Sequence, residues 1–283
     1  MTTVAFIGLG IMGRPMASNL AKAGFDVVGF NRSAKTVDGV TMAGSIAEAV
    51  ESADVVATMV PDSPDVEAVM ADVFAHARKD VLVVDFSSIR PDVSARLAAQ
   101  GAEHGLRVLD APVSGGEQGA VDAALSIMVG GAAEDFEAAR PVLEAVGKTV
   151  VHVGPAGSGQ TVKAANQLVV AGTLELVSEA IVFLEAYGVD TEAAVKVLAG
   201  GLAGNAILDR KAPAMLRRDF TPGFRIALHH KDMGIVTSAA REAGVVIPLG
   251  AAVAQLIASL NAQGDGGLDH SALLKLVSQL SGR

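Results

Sequence analysis

The feature that most constrains the fold is a cluster of three glycines near the start of the chain. In VAFIGLGIMGRPMASNL, the glycines Gly8, Gly10 and Gly13 follow a short apolar run and open a helix-like segment. A G-x-G-x-x-G turn between a strand and a helix is typical of dinucleotide binding, although some other α/β proteins carry a similar glycine turn. The glycines permit the tight turn, the approach of a pyrophosphate and close helix–strand packing. We therefore expect this turn, including Ile11 and Met12, to bind a dinucleotide cofactor.

Strand-like and helix-like segments alternate through the first half of the chain, which predicts a mostly parallel, doubly wound α/β sheet. After GPAGSG (154–159) only helical patterns remain, so we predict one domain over residues 1–159 and an all-α domain over 160–283. The predicted strands are 4–8, 25–30, 54–60, 81–86, 106–113, 125–131 and 149–154. The predicted helices are 11–23, 45–52, 64–77, 91–104, 160–187, 191–200, 205–216, 228–243 and 249–262, with one more amphipathic helix at the end.

Charge and composition exclude several classes of protein. The net charge of −9 and the lack of a basic run argue against a nucleic-acid partner. Because the chain contains no cysteine, it cannot form a disulfide, a thiolate nucleophile or a cysteine-based zinc site. That absence is compatible with the cytoplasm, where we expect the protein to be. Hydrophobic residues make up 51% of the chain, and the surplus apolar surface suggests a homo-oligomer.

We expect neither a signal peptide nor a membrane span. The N-terminus has no basic region, and glycines interrupt its apolar run. The most membrane-like stretch, residues 245–260, contains a proline, a glycine and a glutamine. It falls short of the roughly 20 apolar residues that a spanning helix needs, so we interpret it as a buried helix.

The end of the second predicted strand indicates which nicotinamide cofactor is used. An NAD site typically has an acidic residue there, which bonds the ribose hydroxyls. This chain instead has Asn31, Arg32 and Ser33, which can bond or neutralise a 2′-phosphate. The pattern favours NADP(H), with NAD(H) as the alternative, although an arginine in this place can also be only a surface charge.

Two further segments follow predicted strands, where ligands bind in open α/β sheets. Val60 and Pro61 could form a wall near the cofactor ribose, and Ser87 and Ser88 could bond the ribose or the nicotinamide amide. Each of these residues could equally belong to a turn or a helix cap.

The segment DAPVSGGEQGA (110–120) suggests an anion site. Ser114, Gly115 and Gly116 offer a hydroxyl and unobstructed backbone N–H groups, a nest that suits a carboxylate or phosphate. Glu117 is expected to point away from the anion. The alternative is an ordinary glycine turn.

Lys163 and Asn166 are the conspicuous polar residues of the apolar segment TVKAANQLVVAG (161–172). Residues three apart on a helix share a face. Lys163 could simply extend its charge to solvent at a helix edge. If the helix begins near residues 159–160, however, the lysine lies in its first turn, where the helix dipole and burial would lower its pKa. Such a lysine could protonate a developing alkoxide, with Asn166 holding the geometry.

Taken together, GLGIMGRPMASNL, DAPVSGGEQGA and VKAANQLVV resemble the β-hydroxyacid dehydrogenase family. The resemblance continues through 200–213 and 221–233 and so covers nearly the whole chain. It implies an N-terminal Rossmann-like domain that binds NADP(H), joined by a long interdomain helix to an all-helical C-terminal domain for substrate binding and oligomerisation. It also implies an active cleft between the domains and a homodimer or homotetramer.

The resemblance also implies roles for individual residues. Lys163 would be the catalytic lysine with Asn166 as its partner, and the segment Ser114–Gly116 would contact the substrate carboxylate. Lys231 would reach both cofactor and substrate. We predict no metal site at the neighbouring His229 and His230, because adjacent side chains diverge on a helix and no third ligand has suitable spacing.

The stretches 200–213 and 221–233 most resemble the branch of the family that reduces tartronate semialdehyde (2-hydroxy-3-oxopropanoate) to glycerate. We therefore expect NADPH-dependent reduction of a short carboxylate that carries a β-aldehyde. Asn205 stands where this branch often has serine, which leaves the choice of substrate open. The alternatives are oxidation of 3-hydroxyisobutyrate or another β-hydroxyacid with NAD(P)+, imine reduction, and a non-catalytic NADP-binding regulator. Imine-reducing relatives typically lack the lysine, so Lys163 argues against that reading.

Overall fold

The structure is a computed structural model that describes residues 1–33 and 36–283. The chain divides into two compact units, Met1–Lys163 and Ala164–Arg283, which are described separately below. In the part of the chain that the structure describes, the first unit contains a nine-stranded sheet and its flanking helices, and the second consists of helices and turns.

The sheet of the first unit is mostly parallel. Its strands are β1 (Thr3–Ile7), β2 (Asp26–Phe30), β3 (Val40–Met42), β4 (Val55–Thr58), β5 (Leu82–Asp85), β6 (Arg107–Asp110), β7 (Val113–Ser114), β8 (Leu125–Gly130) and β9 (Gly147–Gly154). They lie in the order β3-β2-β1-β4-β5-β6-β8-β7, with β9 pairing with β8. Strand β8 runs antiparallel to β6 and β7 and parallel to β9. The predicted α/β fold with a doubly wound sheet is confirmed.

Two details of the strands differ from the prediction. The three-residue strand β3 was not predicted, because so short a segment carries little periodic signal. The predicted strand 106–113 is in fact two strands, β6 and β7, separated by Ala111 and Pro112. Proline has no N–H with which to continue a ladder, so the break at Pro112 has a local cause.

Helices cover the sheet and connect its strands. They are α1 (Gly13–Lys22), α2 (Ile46–Val50), α3 (Ser63–His76), α4 (Pro91–Glu103), α5 (Gly116–Val121) and α6 (Ala133–Glu144). The last two were not predicted. The sequence of α5 contains two glycines and that of α6 contains Pro141, and both residue types count against a helix.

Alternate residues of the central strands pack on opposite faces of the sheet. In β1, Val4 and Phe6 belong to one apolar cluster, whereas Ala5 and Ile7 belong to the other. Both faces are therefore buried, which explains why these strands read as continuous apolar runs rather than as alternating patterns.

The long helix α7 (Ser158–Ala186) begins in the first unit and continues into the second. The other helices are α8 (Thr191–Ala199), α9 (Ala206–Leu216), α10 (Ile226–Glu242), α11 (Pro248–Ala262) and α12 (Leu273–Leu280), with two short 3-10 turns before α12. Within the second unit, Leu174 of α7 shares an apolar cluster with Ile257 and Leu260 of α11. Further along α7, Ile181 belongs to a second cluster with Met215 of α9.

By length and composition alone, one helix of the described chain could cross a membrane, and it is α7. The prediction that residues 245–260 are the most membrane-like stretch is therefore wrong. The helix there, α11, has only 15 residues. The apolar character of α7 is also typical of a core helix, and 44% of its most apolar window is buried.

Candidate active site

The glycine turn between β1 and α1 is built as its sequence predicts. Gly8 has a φ of +99°, and its N–H donates to Phe30 O at 2.9 Å. A Cβ on Gly8 would collide with the backbone at Met59, and one on Gly13 would collide with Gly8 O. Both glycines are thus required for close approach within the protein.

The other residues of the turn leave room for a ligand. A Cβ on Gly10 would meet no protein atom within 4 Å, so open space lies beside this backbone. Ile11 is exposed, and Met12 packs partly against the core. In the described chain no side chain caps α1, and its first turn contains no acidic residue. The N-terminus of α1 therefore fits the phosphates of a dinucleotide.

Asn31 connects this turn to the end of β2. Its Oδ1 accepts a hydrogen bond from Leu9 N at 3.1 Å, and its Nδ2 donates to Ser33 O at 2.8 Å and to Ser33 Oγ at 2.9 Å. The Arg32 side chain is 83% exposed and makes a 3.5 Å ion pair with Asp65. So exposed a pair contributes little to stability, and the guanidinium can turn to an incoming anion.

A buried network holds the loops that follow β4 and β5. Asp85 Oδ1 accepts hydrogen bonds from Thr58 Oγ1 at 2.7 Å and from Ser87 N at 3.0 Å. Ser87 Oγ in turn accepts from Val60 N at 3.0 Å. Burial raises the pKa of Asp85, against the opposing effect of these hydrogen bonds. Ser87 is fully buried, so its place is structural, whereas its neighbour Ser88 is only partly buried.

Val60 and Pro61, the predicted residues of the loop after β4, lie near the glycine turn. A Cβ on Gly8 would come within 2.9 Å of Val60 Cγ1, so Val60 borders the turn directly. Pro61 follows it at the exposed surface. The carboxyl ends of β1, β2, β4 and β5 thus bring Gly8, Asn31 and Val60 to one edge of the sheet.

The predicted anion nest lies between β7 and α5. Gly115 and Gly116 both have positive φ values, +139° and +65°. No side chain caps α5 in the described chain, and Glu117 is exposed, as expected of a residue that avoids an anion. Residues with a side chain adopt such positive φ values only with strain. Successive backbone N–H groups in a turn of this kind can form a nest that binds an anion.

Lys163 lies beside this nest. Lys163 is only 8% exposed. Its Nζ donates a hydrogen bond to the carbonyl oxygen of Val113, the residue before Ser114, at 2.8 Å. The ammonium group is therefore not extended into solvent. Within the first unit, Lys163 therefore lies close to the predicted anion nest at Ser114–Gly116.

The predicted reason for tuning this lysine needs correction. The helix α7 begins at Ser158, so Lys163 lies in its second turn and not its first. Asp110 already binds the helix start, accepting hydrogen bonds from Gly157 N at 2.7 Å and Gln160 N at 2.9 Å. Because the field of a helix terminus decays within one turn, the dipole argument does not apply to Lys163 in this position.

In the second unit a chain of hydrogen bonds connects Asn166 to Lys231. Asn166 Nδ2 donates to Gln167 Oε1 at 2.8 Å, and Gln167 Nε2 donates to Asp232 Oδ2 at 2.6 Å. Asp232 Oδ1 lies 2.9 Å from Lys231 Nζ. Neither Gln167 nor Asp232 is among the site residues predicted from the sequence. The sequence offers one signal for them, since Gln167 follows Asn166 and Asp232 follows Lys231. Their contact joins residues 65 positions apart, which no local pattern indicates.

The two neighbouring histidines of α10 have different surroundings. His229 is buried, and its Nδ1 lies 3.1 Å from Nδ1 of His270, whereas His230 is exposed. Burial and the neighbouring His229 hold the pKa of His270 below its usual value. The described residues contain no cluster of three or more potential metal ligands. Asn205, singled out for substrate choice, caps α9 by accepting from Ile207 N and Leu208 N.

Comparisons with known proteins agree with this architecture. The model of the NAD-binding domain of 6-phosphogluconate dehydrogenase matches residues 3–154. The model described as NAD-binding of NADP-dependent 3-hydroxyisobutyrate dehydrogenase matches residues 157–277. A nicotinamide dinucleotide is therefore the cofactor of this chain.

Individual relatives are similar along nearly their whole length. The chain is 40% identical to the 2-hydroxy-3-oxopropionate reductase of Escherichia coli, with 98% of each protein covered. It is 37% identical to the NAD-dependent L-serine dehydrogenase of Pseudomonas aeruginosa, with 100% of both proteins covered. A structure of Mycobacterium tuberculosis 3-hydroxyisobutyrate dehydrogenase with L-serine superposes with a TM-score of 0.91 at 37% identity, covering 98% of this chain and 99% of that one. The chain belongs to the β-hydroxyacid dehydrogenase family, the NAD(P)-dependent oxidoreductases that act on a CH–OH group.

Proposed function

We propose that this enzyme reduces tartronate semialdehyde to glycerate with NADPH. The observation that carries the proposal is the position of Lys163, whose Nζ bonds Val113 O directly beside the nest at Ser114–Gly116. A short substrate with a carboxylate at one end and an aldehyde close to it suits a nest next to a proton donor. The 40% identity to a 2-hydroxy-3-oxopropionate reductase supports the same substrate.

In the proposed mechanism the chain supplies binding, orientation and a proton. The backbone N–H groups of Gly115 and Gly116 and the Ser114 hydroxyl hold the substrate carboxylate. A bound nicotinamide supplies the hydride. Lys163 stabilises the developing alkoxide and donates its proton to that oxygen, and Asn166 orients the substrate hydroxyl. Lys231 contributes a further cation towards cofactor and substrate.

The preference for NADPH is part of the proposal. The chain has Asn31 at the end of β2, where an acid would repel a 2′-phosphate, and Arg32 is exposed beside it. We propose that Arg32 and Ser33 bind this phosphate, with Gly8–Gly13, Val60, Pro61 and Ser88 lining the rest of the cofactor. NAD(H) is the alternative, since one relative carries an NAD-dependent name.

A second candidate reaction is the oxidation of 3-hydroxyisobutyrate or another β-hydroxyacid with NAD(P)+. The similarity to 3-hydroxyisobutyrate dehydrogenase, 37% identity at a TM-score of 0.91, favours it to nearly the same degree. It would use the same lysine as a base rather than as an acid.

One panel separates these reactions. NADPH and NADH oxidation should be followed with tartronate semialdehyde, methylmalonate semialdehyde, succinic semialdehyde and glyoxylate, and NAD(P)+ reduction with the β-hydroxyacids. We expect the highest kcat/KM with tartronate semialdehyde and NADPH. A higher kcat/KM with methylmalonate semialdehyde would transfer the assignment to the second candidate, and no turnover with any compound would refute both.

We further propose a homo-oligomer in the cytoplasm with no membrane or nucleic-acid partner. An apolar stripe on α7 supports the oligomer: Val169, Leu176 and Phe183 recur every seven residues and are 66%, 61% and 62% exposed. Residues at this spacing share one helix face, and such a face is suited to pack against a second copy.

A further inference from the structure

The side chain of Gln160 links two parts of the proposed site within the first unit. Gln160 lies in the first turn of α7 and is 1% exposed. Its Oε1 accepts a hydrogen bond from Ile89 N at 3.1 Å, and its Nε2 donates to Ser87 O at 2.8 Å. A single amide thus makes the two bonds that a neighbouring strand would make to the loop after β5.

These two bonds enclose Ser88, the residue of this loop proposed to bind the cofactor. Ser87 is also held from the opposite direction, since its N–H donates to Asp85 Oδ1 at 3.0 Å and its Oγ accepts from Val60 N at 3.0 Å. The backbone on both sides of Ser88 is therefore fixed by buried hydrogen bonds. A shift of the Ser88 backbone would have to break at least one of them.

The backbone of Gln160 belongs to α7, the helix that also carries Lys163. Gln160 N donates to Asp110 Oδ2 at 2.9 Å, which anchors the start of α7. Lys163 follows one turn later, and its Nζ donates to Val113 O at 2.8 Å. Because a helical turn is rigid, the position of the Gln160 backbone determines where the lysine begins.

The chemistry of this link requires an amide. The link needs a donor towards Ser87 O and an acceptor for Ile89 N in one side chain. An ionised carboxylate can only accept, so it would repel the carbonyl of Ser87. A methionine has a similar shape but provides neither bond of comparable strength. A protonated carboxyl group would restore both bonds.

We propose that Gln160 is a positioning residue that sets the cofactor loop at Ser88 relative to the proton donor Lys163. Through this amide, the loop that would hold the cofactor and the lysine ammonium keep one spacing, which would let hydride and proton be delivered to the same carbonyl group. The proposal rests on the proposed roles of Ser88 and Lys163.

Two variants test this link, with NADPH affinity and turnover as separate readouts. NADPH fluorescence titration should give Gln160→Met a Kd about tenfold higher than that of the wild type, and kcat should fall by about 10- to 100-fold. The KM for the aldehyde should change by less than about threefold, because the nest at Ser114–Gly116 is not touched. For Gln160→Glu, the ratio of its kcat to that of the wild type should rise about tenfold from pH 8 to pH 5, as the introduced carboxyl becomes protonated.

Ser178→Ala is the matched control for the loss of a buried hydrogen bond, since Ser178 Oγ donates to Leu174 O within the same helix. It should lower the Tm and leave both the NADPH Kd and kcat unchanged. A Gln160→Met variant with wild-type Kd and kcat would overturn the proposal, and so would a pH-independent ratio for Gln160→Glu. If the wild type turned over no substrate, the proposed function would fail, and the Kd comparison would still decide whether Gln160 holds the cofactor loop.

Discussion

Replacing Lys163 by alanine removes the proton donor on which the proposed chemistry depends. Its ammonium bonds Val113 O beside the nest, and among the residues that the structure describes no other lysine of the first unit is buried. Because general acid catalysis contributes about 10²- to 10⁴-fold, we expect Lys163→Ala to lower kcat by about 10³-fold. NADPH binding should remain within about threefold, since the glycine turn is untouched.

The measurement is steady-state kinetics together with NADPH titration. Lys148→Ala, which removes an exposed lysine of β9, is the matched control and should behave like the wild type. A nearly normal kcat in Lys163→Ala would exclude the lysine from proton transfer.

Arg32 tests the cofactor preference. If its guanidinium binds the 2′-phosphate, Arg32→Ala should raise the KM for NADPH by about tenfold or more and barely affect NADH, which has no such phosphate. Asp65→Asn should instead lower the KM for NADPH, because it removes the carboxylate that pairs with Arg32 at 3.5 Å. An equal change for both cofactors in Arg32→Ala would contradict the proposed NADPH preference.

At the scale of single elements, α7 contains a carboxyl group that should oppose folding at neutral pH. Glu175 lies on the buried face of this helix, and its Oε2 has no hydrogen-bond partner among the described residues. Burial, with a smaller effect of Glu179, raises the pKa of Glu175 from 4.5 to about 7. Since the folded state then binds more protons than the unfolded state between these pH values, stability should fall as pH rises through this window and stay lower above it.

Glu175→Gln should remove this pH dependence. Its free energy of unfolding should exceed that of the wild type by about 1–3 kcal/mol at pH 8, and the difference should nearly vanish at pH 5. Urea unfolding at both pH values measures the effect. Glu179→Gln is the control and should give a smaller gain, because Glu179 is exposed. An equal stability difference at pH 5 and pH 8 would show that ionisation of Glu175 is not the cause.

How much the sequence could predict depends on the range of the interactions involved. The α/β order, the turn at Gly8 and the helical second half follow from local patterns of glycine and apolar residues, and the structure has them. The capping of α7 by Asp110 and the bonds of Gln160 to the loop at Ser88 join residues 47 to 73 positions apart. No local pattern encodes such pairs. The dipole argument for Lys163 failed for this reason, because it depended on where the helix begins and what caps it.

For the whole molecule, the remaining prediction concerns self-association through the α7 stripe of Val169, Leu176 and Phe183. Light scattering should give the wild type a mass that is a multiple of the 28.6 kDa chain. Leu176→Lys places a charge in the middle of the stripe, where burial against a second copy would cost several kcal/mol, so it should lower the mass at micromolar concentration. Val197→Lys, which introduces the same charge at a 75% exposed apolar position on α8, should leave the mass unaltered. If the wild type is a monomer, or if Leu176→Lys keeps its mass, the stripe is not the interface. Leu176 lies outside the proposed site, so kcat per chain in Leu176→Lys shows whether turnover requires the assembly. An unchanged kcat means that a single chain is sufficient. A loss of kcat that parallels the fall in mass means that catalysis requires the assembled enzyme.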